Sequence, residues 1–233
     1  MKRAFLLTSA LLIFILLLTG CGKKEVAQPD PTPEAAAPAA DTADEPTEPV
    51  QSATWADLVF VTGTAKRTTL GEEGGGMTFT LKDANTYTYR FQEGVTYEDV
   101  TVEADVSNLG DNDNGFSLIC RASDDGWYEF RASSGGLYNL FVYDAAMKER
   151  GENPYKTLDS GGSGLMTSKN THLKFMCQGN TLRMFANGEE IEPTKGTIED
   201  NTYTSGKIGV GAMSNARTPV KISFDQVTAT GTE

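Results

Sequence analysis

From about residue 97 to residue 227 the chain alternates apolar and polar side chains, segment after segment. Val100, Val102, Ala104 and Val106 are spaced by Thr101, Glu103 and Asp105. Phe116, Leu118 and Cys120 follow the same rule, as do Tyr128, Phe130 and Ala132, then Leu173, Phe175 and Cys177, then Ile208, Val210 and Ala212, then Val220, Ile222 and Phe224. A period of two belongs to a strand with one face buried. Turn signals fall between the runs: Asp113-Asn114-Gly115, Asp125-Gly126, Gly135-Gly136, Gln178-Gly179-Asn180 and Asn187-Gly188. Short strands at such spacing predict an all-β sandwich or barrel. No amphipathic helix is evident. Leu58–Val61, Met77–Leu81 and Thr86–Phe91 are candidate first strands, and residues 144–165 read as a long loop ending in Gly161-Gly162-Ser163-Gly164.

The N-terminus is built differently. Lys2 and Arg3 precede an apolar run from Ala4 to Leu18, with no acid before Cys21. A basic start and a run of this length read as a secretory signal, too short for a comfortable membrane span. Its end, Leu18-Thr19-Gly20-Cys21, resembles the bacterial lipobox, whose Cys is lipidated and becomes the new N-terminus. That resemblance implies a signal peptide over 1–20, a lipid anchor on Cys21 and an extracytoplasmic protein held to the cell membrane or outer membrane. Two or three acyl chains at ~0.8 kcal/mol per buried CH₂ anchor stably without a span. Residues 22–52 hold Pro29, Pro31, Pro33, Pro38, Pro46 and Pro49, six of the nine prolines, and no aromatic residue. Such a stretch cannot bury enough apolar surface to order itself, so 21–52 reads as a disordered tether that reaches at most on the order of 90 Å. Residues 53–233 remain as one domain.

Charge and composition exclude whole classes of function. Lys and Arg number 20 against 32 Asp and Glu, a formal net charge of −12, so the chain has no electrostatic footprint for nucleic acid. A single His rules out a His-rich metal centre.

Several motifs carry a resemblance. They are Val102-Glu103-Ala104-Asp105-Val106, Asn114-Gly115-Phe116-Ser117-Leu118-Ile119-Cys120-Arg121, Asp124-Asp125 with Trp127-Tyr128-Glu129-Phe130, Gly179-Asn180-Thr181-Leu182, Asn187-Gly188, Ser205-Gly206-Lys207-Ile208-Gly209 and Phe224-Asp225. In this order they resemble the concanavalin A-like, or laminin-G-like, jelly rolls. Within these they are most similar to the 3-keto-disaccharide hydrolase, or glucanase-like, domains. The resemblance implies a two-sheet antiparallel jelly-roll sandwich. It leaves three functions open: binding of a glycan or surface polysaccharide, hydrolysis of 3-keto-disaccharides or related glycans, and adhesion without a small ligand.

The glucanase strand motif is Glu-x-Asp-x-(x)-Glu. Here Glu103-Ala104-Asp105 is followed by Val106, Ser107 and Asn108, so the second Glu is missing. Glu129 with Asp124 or Asp125 is another candidate carboxylate pair, and His172 a candidate base that reads equally as a surface histidine. For binding, Trp127, Glu129 and Arg131 share one strand face, with Arg121 and Tyr138 expected on neighbouring strands in the same orientation. An aromatic platform beside planar polar groups suits a pyranose ring. The alternative is a Trp127 that packs under the 144–165 loop. Asp111-Asn112-Asp113-Asn114-Gly115 offers alternating oxygen ligands as calcium loops do, or simply an Asx turn. Residue 122 is Ala, which excludes an EF-hand, and the jelly-roll resemblance adds Asp225 as a ligand for a structural Ca²⁺. Cys120 and Cys177 both point inward on their strands and form either a disulfide or two buried thiols.

Overall fold

The computed structural model of the protein describes residues 54–166 and 169–232. The signal segment, Cys21 and the tether lie outside the described residues. In chain order the strands are β1 (Thr54–Trp55), β2 (Val59–Thr62), β3 (Thr68–Glu73), β4 (Gly76–Leu81), β5 (Thr86–Glu93), β6 (Asp99–Asn108), β7 (Asn114–Ala122), β8 (Gly126–Ala132) and β9 (Leu137–Asp144). A single helical turn, α1 (Ala145–Glu149), comes next. Then follow β10 (Tyr155–Gly162), β11 (Asn170–Gln178), β12 (Thr181–Ala186), β13 (Glu189–Glu190), β14 (Ile198–Glu199), β15 (Lys207–Ser214) and β16 (Val220–Thr232).

The strands form two antiparallel sheets packed face to face, the jelly-roll sandwich that the alternation and the resemblance predict. The first sheet runs β1-β5-β15-β7-β8-β9-β10, with β2 also paired to β5. The second runs β13-β12-β11-β6-β16-β4-β3, with β14 on β12. Along β6 the burial alternates strictly: Val100, Val102, Ala104 and Val106 face the core, while Thr101, Glu103 and Asp105 face outward. The core lies between these inner faces and the matching faces of β7, β8, β9 and β15. Phe130 of the first sheet meets Phe175 of the second with ring centroids 6.1 Å apart. Cys120 on β7 and Cys177 on β11 form a disulfide that joins the two sheets directly. At the β12–β13 turn Asn187 and Gly188 both take positive φ, the pairing that a tight hairpin requires.

Two expectations change. Residues 144–165 are not a loop. Asp144 caps α1 by accepting from the Met147 amide at 3.0 Å, and β10 then pairs with β9. A bulge between Thr157 and Asp159 breaks the period of two, which is why the strand is invisible to pattern reading. In addition, β7 is buried on both faces along its whole length. The outer side of the first sheet therefore carries a second apolar layer, built from Val61, Tyr89, Ile119, Ala122, Trp127 and Tyr143.

Candidate functional site on the outer face of the first sheet

Strand register builds the site. On β8, Trp127, Glu129 and Arg131 point outward. Opposite them stand Tyr143, Phe141 and Asn139 of β9. On the other side come Ile119 and Ser117 of β7, then Gly209 and Gly211 of β15, then Phe91 and Tyr89 of β5. The two glycines matter. A Cβ on Gly211 would stand 2.4 Å from the Tyr89 ring, so only a glycine lets Tyr89 lie flat across β15 towards Glu129.

Glu129 is fully buried, and donors surround it. Ser117 Oγ donates at 2.6 Å, Arg131 Nε at 2.8 Å and Trp127 Nε1 at 3.3 Å. The Tyr89 hydroxyl donates to Oε2 at 3.1 Å. With its proton committed there, Tyr89 accepts from the Tyr155 hydroxyl at 2.7 Å and from Arg131 Nη2 at 3.2 Å. Each oxygen of Glu129 and the Tyr89 hydroxyl are partnered, which is the condition for keeping such groups out of water. Its electrostatics follow. Burial, then the facing Glu129, pushes the Tyr89 hydroxyl well above its ordinary value. Burial, then the same carboxylate, raises the Tyr155 hydroxyl. Burial on its own would lower the Arg131 pKa, but Glu129 outweighs it and the guanidinium is held charged.

Arg131 forms the floor of a cleft. Its Cζ lies 4.6 Å from the ring centroids of Phe141 and Tyr155 and 5.1 Å from that of Tyr87. The three rings gather around one cation. The cleft above them is about 490 Å³, walled by Val61 and Thr62 on one side and by Lys148 and the 151–155 segment on the other. The Lys148 ammonium donates to the Val61 carbonyl and bridges the two walls. Two further hollows adjoin it. One of about 410 Å³ lies over Trp127 and Tyr143, and one of about 280 Å³ lies beyond Arg131 towards Asn114 and Asn139.

Of the five residues expected to bind, the structure brings together Trp127, Glu129 and Arg131. Trp127 is not an open platform, however. It is 6% exposed and stacks on Tyr143 at 3.8 Å and 9°, with Phe91 and Tyr89 against its edges. Arg121 is elsewhere. A bulge of β7 against β15 gives it a φ of +53° and turns it away from the Ile119 face. Its guanidinium, 1% exposed, bonds the Glu98 and Tyr203 carbonyls at 2.8 and 3.2 Å. Tyr138 is also elsewhere, because it pairs with Ala132 rather than with Arg131 and so faces the interior. Its hydroxyl donates to Asp159 at 2.9 Å, and burial followed by that bond pushes its pKa up to about 12.

The other candidates separate. Glu103, Asp105 and His172 lie on the outer face of the second sheet, across the sandwich from the cleft. There the His172 ring bridges Asp105 at 2.8 Å and Glu103 at 3.1 Å. Glu129 has no exposure to offer Asp124 or Asp125 a partner. The Asp113 carboxylate is taken by the Ala216 and Arg217 amides at 2.9 and 2.8 Å, and Asp111 by Arg217 Nε at 3.0 Å. Asp225 instead pairs with Asp105 on β6. Among the described residues no three His, Cys, Asp or Glu side chains are placed to hold a metal ion.

Sequence reasoning missed Tyr87, Tyr89, Phe141, Tyr143, Lys148 and Tyr155. The alternation of Tyr87, Tyr89 and Phe91 on β5, and of Phe141 and Tyr143 on β9, carried a signal: aromatic residues on what should be a solvated face. Lys148 and Tyr155 left none.

No protein-family model and no curated protein matches the sequence. Solved structures do share the fold. The carbohydrate-binding module CBM66 from Bacillus subtilis is similar with a TM-score of 0.55 and 14% identity, covering 74% of this chain and 94% of that one. The Emp47p carbohydrate recognition domain gives 0.50 and 14%, covering 77% and 89%. A prokaryotic β-1,3-1,4-glucanase from a mouse hindgut metagenome gives 0.50 and 10%, covering 72% and 90%. The likeness establishes a jelly-roll fold held in common with carbohydrate-binding and glucan-cleaving proteins.

Proposed function

We propose that the domain binds a glycan in the cleft above Arg131. The observation that carries this reading is the cleft itself: about 490 Å³, aromatic on its floor, with one guanidinium fixed by a buried carboxylate. Concave sites of ~300–1,000 Å³ with an apolar lining and a few fixed polar groups suit small ligands. Two of the similar folds are described as a carbohydrate-binding module and a carbohydrate recognition domain, which supports the choice of ligand. Binding is favoured over hydrolysis by the cleft's acids. Its described lining offers one carboxylate, Glu152, already paired with Arg150 at 3.0 Å, whereas glycoside cleavage ordinarily uses two. The lipobox-like segment and the Pro-rich stretch support the further reading of a cell-surface domain anchored through a lipid on Cys21, with 21–52 as spacer. Palmitate labelling lost in Cys21→Ala tests that part.

Thr157 is exposed on β10 and lines the cleft, so Thr157→Trp plugs it without touching the core. On a glycan array the wild-type protein retains a saccharide and Thr157→Trp does not, at unchanged melting temperature. Equal retention by the plugged variant overturns the assignment of the cleft. Release of sugar from a bound glycan or a 3-keto-disaccharide overturns the non-catalytic reading.

A further inference from the structure

We propose that the saccharide taken by this cleft carries a carboxylate, as hexuronic acid residues do; this rests on the glycan-binding reading and narrows its ligand class. Three side chains that are charged at neutral pH line the cleft: Arg131, Lys148 and Glu152. Glu152 is neutralised by Arg150, which bonds both its oxygens at 3.0 and 3.2 Å. Arg131 is balanced from beneath by Glu129. Lys148 is not balanced: among the described residues no carboxylate pairs with it, and its ammonium is met by the Val61 carbonyl. A chain of net charge −12 thus presents one uncompensated positive charge at this spot.

The geometry of Arg131 adds direction. Nε and Nη2 are committed to Glu129 and Tyr89. The Tyr155 hydroxyl also interacts with the guanidinium, but among the described residues no bond of good geometry uses Nη1. Nor is it sealed in, since among the described residues the one fully enclosed side-chain polar atom without a partner is Thr88 Oγ1. Three aromatic rings crowd the guanidinium, so what remains for a ligand is its Nη1 corner. A carboxylate accepts from such an edge in plane and takes a second donor from an ammonium nearby. One net positive charge matches one monoanionic sugar residue.

The test is calorimetric titration of the protein with a panel of galacturonate, glucuronate and mannuronate oligosaccharides. Each is paired with its methyl ester, and a sulfated galactan oligosaccharide is added. The ester removes the charge and keeps the sugar. At least one uronate binds, its ester binds on the order of tenfold or more weakly, and added salt narrows the gap. Lys148→Gln erases most of the difference between acid and ester, and Lys148→Arg keeps it. Esters or neutral glycans that bind as tightly as the acids overturn the proposal and leave glycan binding standing. Tighter binding of the sulfated oligosaccharide overturns the carboxylate assignment. Failure of every saccharide, neutral ones included, overturns both readings.

Discussion

Replacing Glu129 by Leu tests whether the Glu129–Arg131 pair organises the outer face. The substitution keeps about the same volume and removes the acceptor for Ser117, Tyr89, Trp127 and Arg131 at once. What remains is a guanidinium that is 13% exposed and without its counter-ion. Breaking a buried pair by removing one partner costs about 3–5 kcal/mol. For a domain of this size each kcal/mol shifts the melting temperature by about 2–4 °C, so a drop on the order of 6–20 °C is expected. The double variant Glu129→Leu/Arg131→Met removes the stranded charge as well. Replacing a whole buried pair by apolar groups is often close to neutral, so the double variant recovers most of the loss. Thermal melts followed by circular dichroism measure both, and tryptophan emission reports the loss of the Trp127 indole bond. A single variant that costs under about 1 kcal/mol, or a double variant no more stable than the single, refutes the role assigned to the pair.

Other consequences are equally direct. Cys120→Ala/Cys177→Ala opens a crosslink spanning a sequence separation of 57. The loop-entropy relation gives ~4 kcal/mol, to be read as a fall in denaturation midpoint, and alkylation of unreduced, unfolded protein should label neither cysteine. Trp127→Ala removes a ring stacked on Tyr143 and costs ~3–5 kcal/mol in chemical denaturation, the penalty for emptying a packed aromatic site. Asp159 accepts from Tyr138 and from the Thr194 amide at 3.1 Å. Burial raises its pKa, but the bonds from Thr194 and Tyr138 outweigh this and hold it below the ordinary 3.8. The stabilisation is therefore whole above 3.8 and fades as the pH falls through the lowered native value. Asp159→Asn flattens that acid limb of the stability curve.

The sandwich was legible because one face of most strands meets water. On β6 and β11 the outward side of the alternation is half-buried while the inward side is fully buried, so period, orientation and register could be read together. The same logic misjudged Trp127. A pattern of two distinguishes the core from its opposite side, but not solvent from a second apolar layer laid over that side. Arg121 and Tyr138 failed for local reasons, a bulge in one case and a register one residue away in the other. Tyr155 reaches the Glu129 network from a strand whose bulge hides its period, and Lys148 arrives on a single helical turn. Convergence of residues 87 to 155 on one cleft is a product of topology, which no single stretch of sequence contains.

A saccharide seated in the cleft between β2 and the α1–β10 segment shields the backbone of both walls. Amide hydrogen exchange on the protein, with and without a saturating glycan identified on the array, locates it most directly. Bound glycan slows exchange at residues 59–62 and 145–157, the two walls bridged by Lys148. Protection confined to the outer face of the second sheet, around Glu103 and His172, or to the β3–β4 turn at residues 74–75, would contradict that placement.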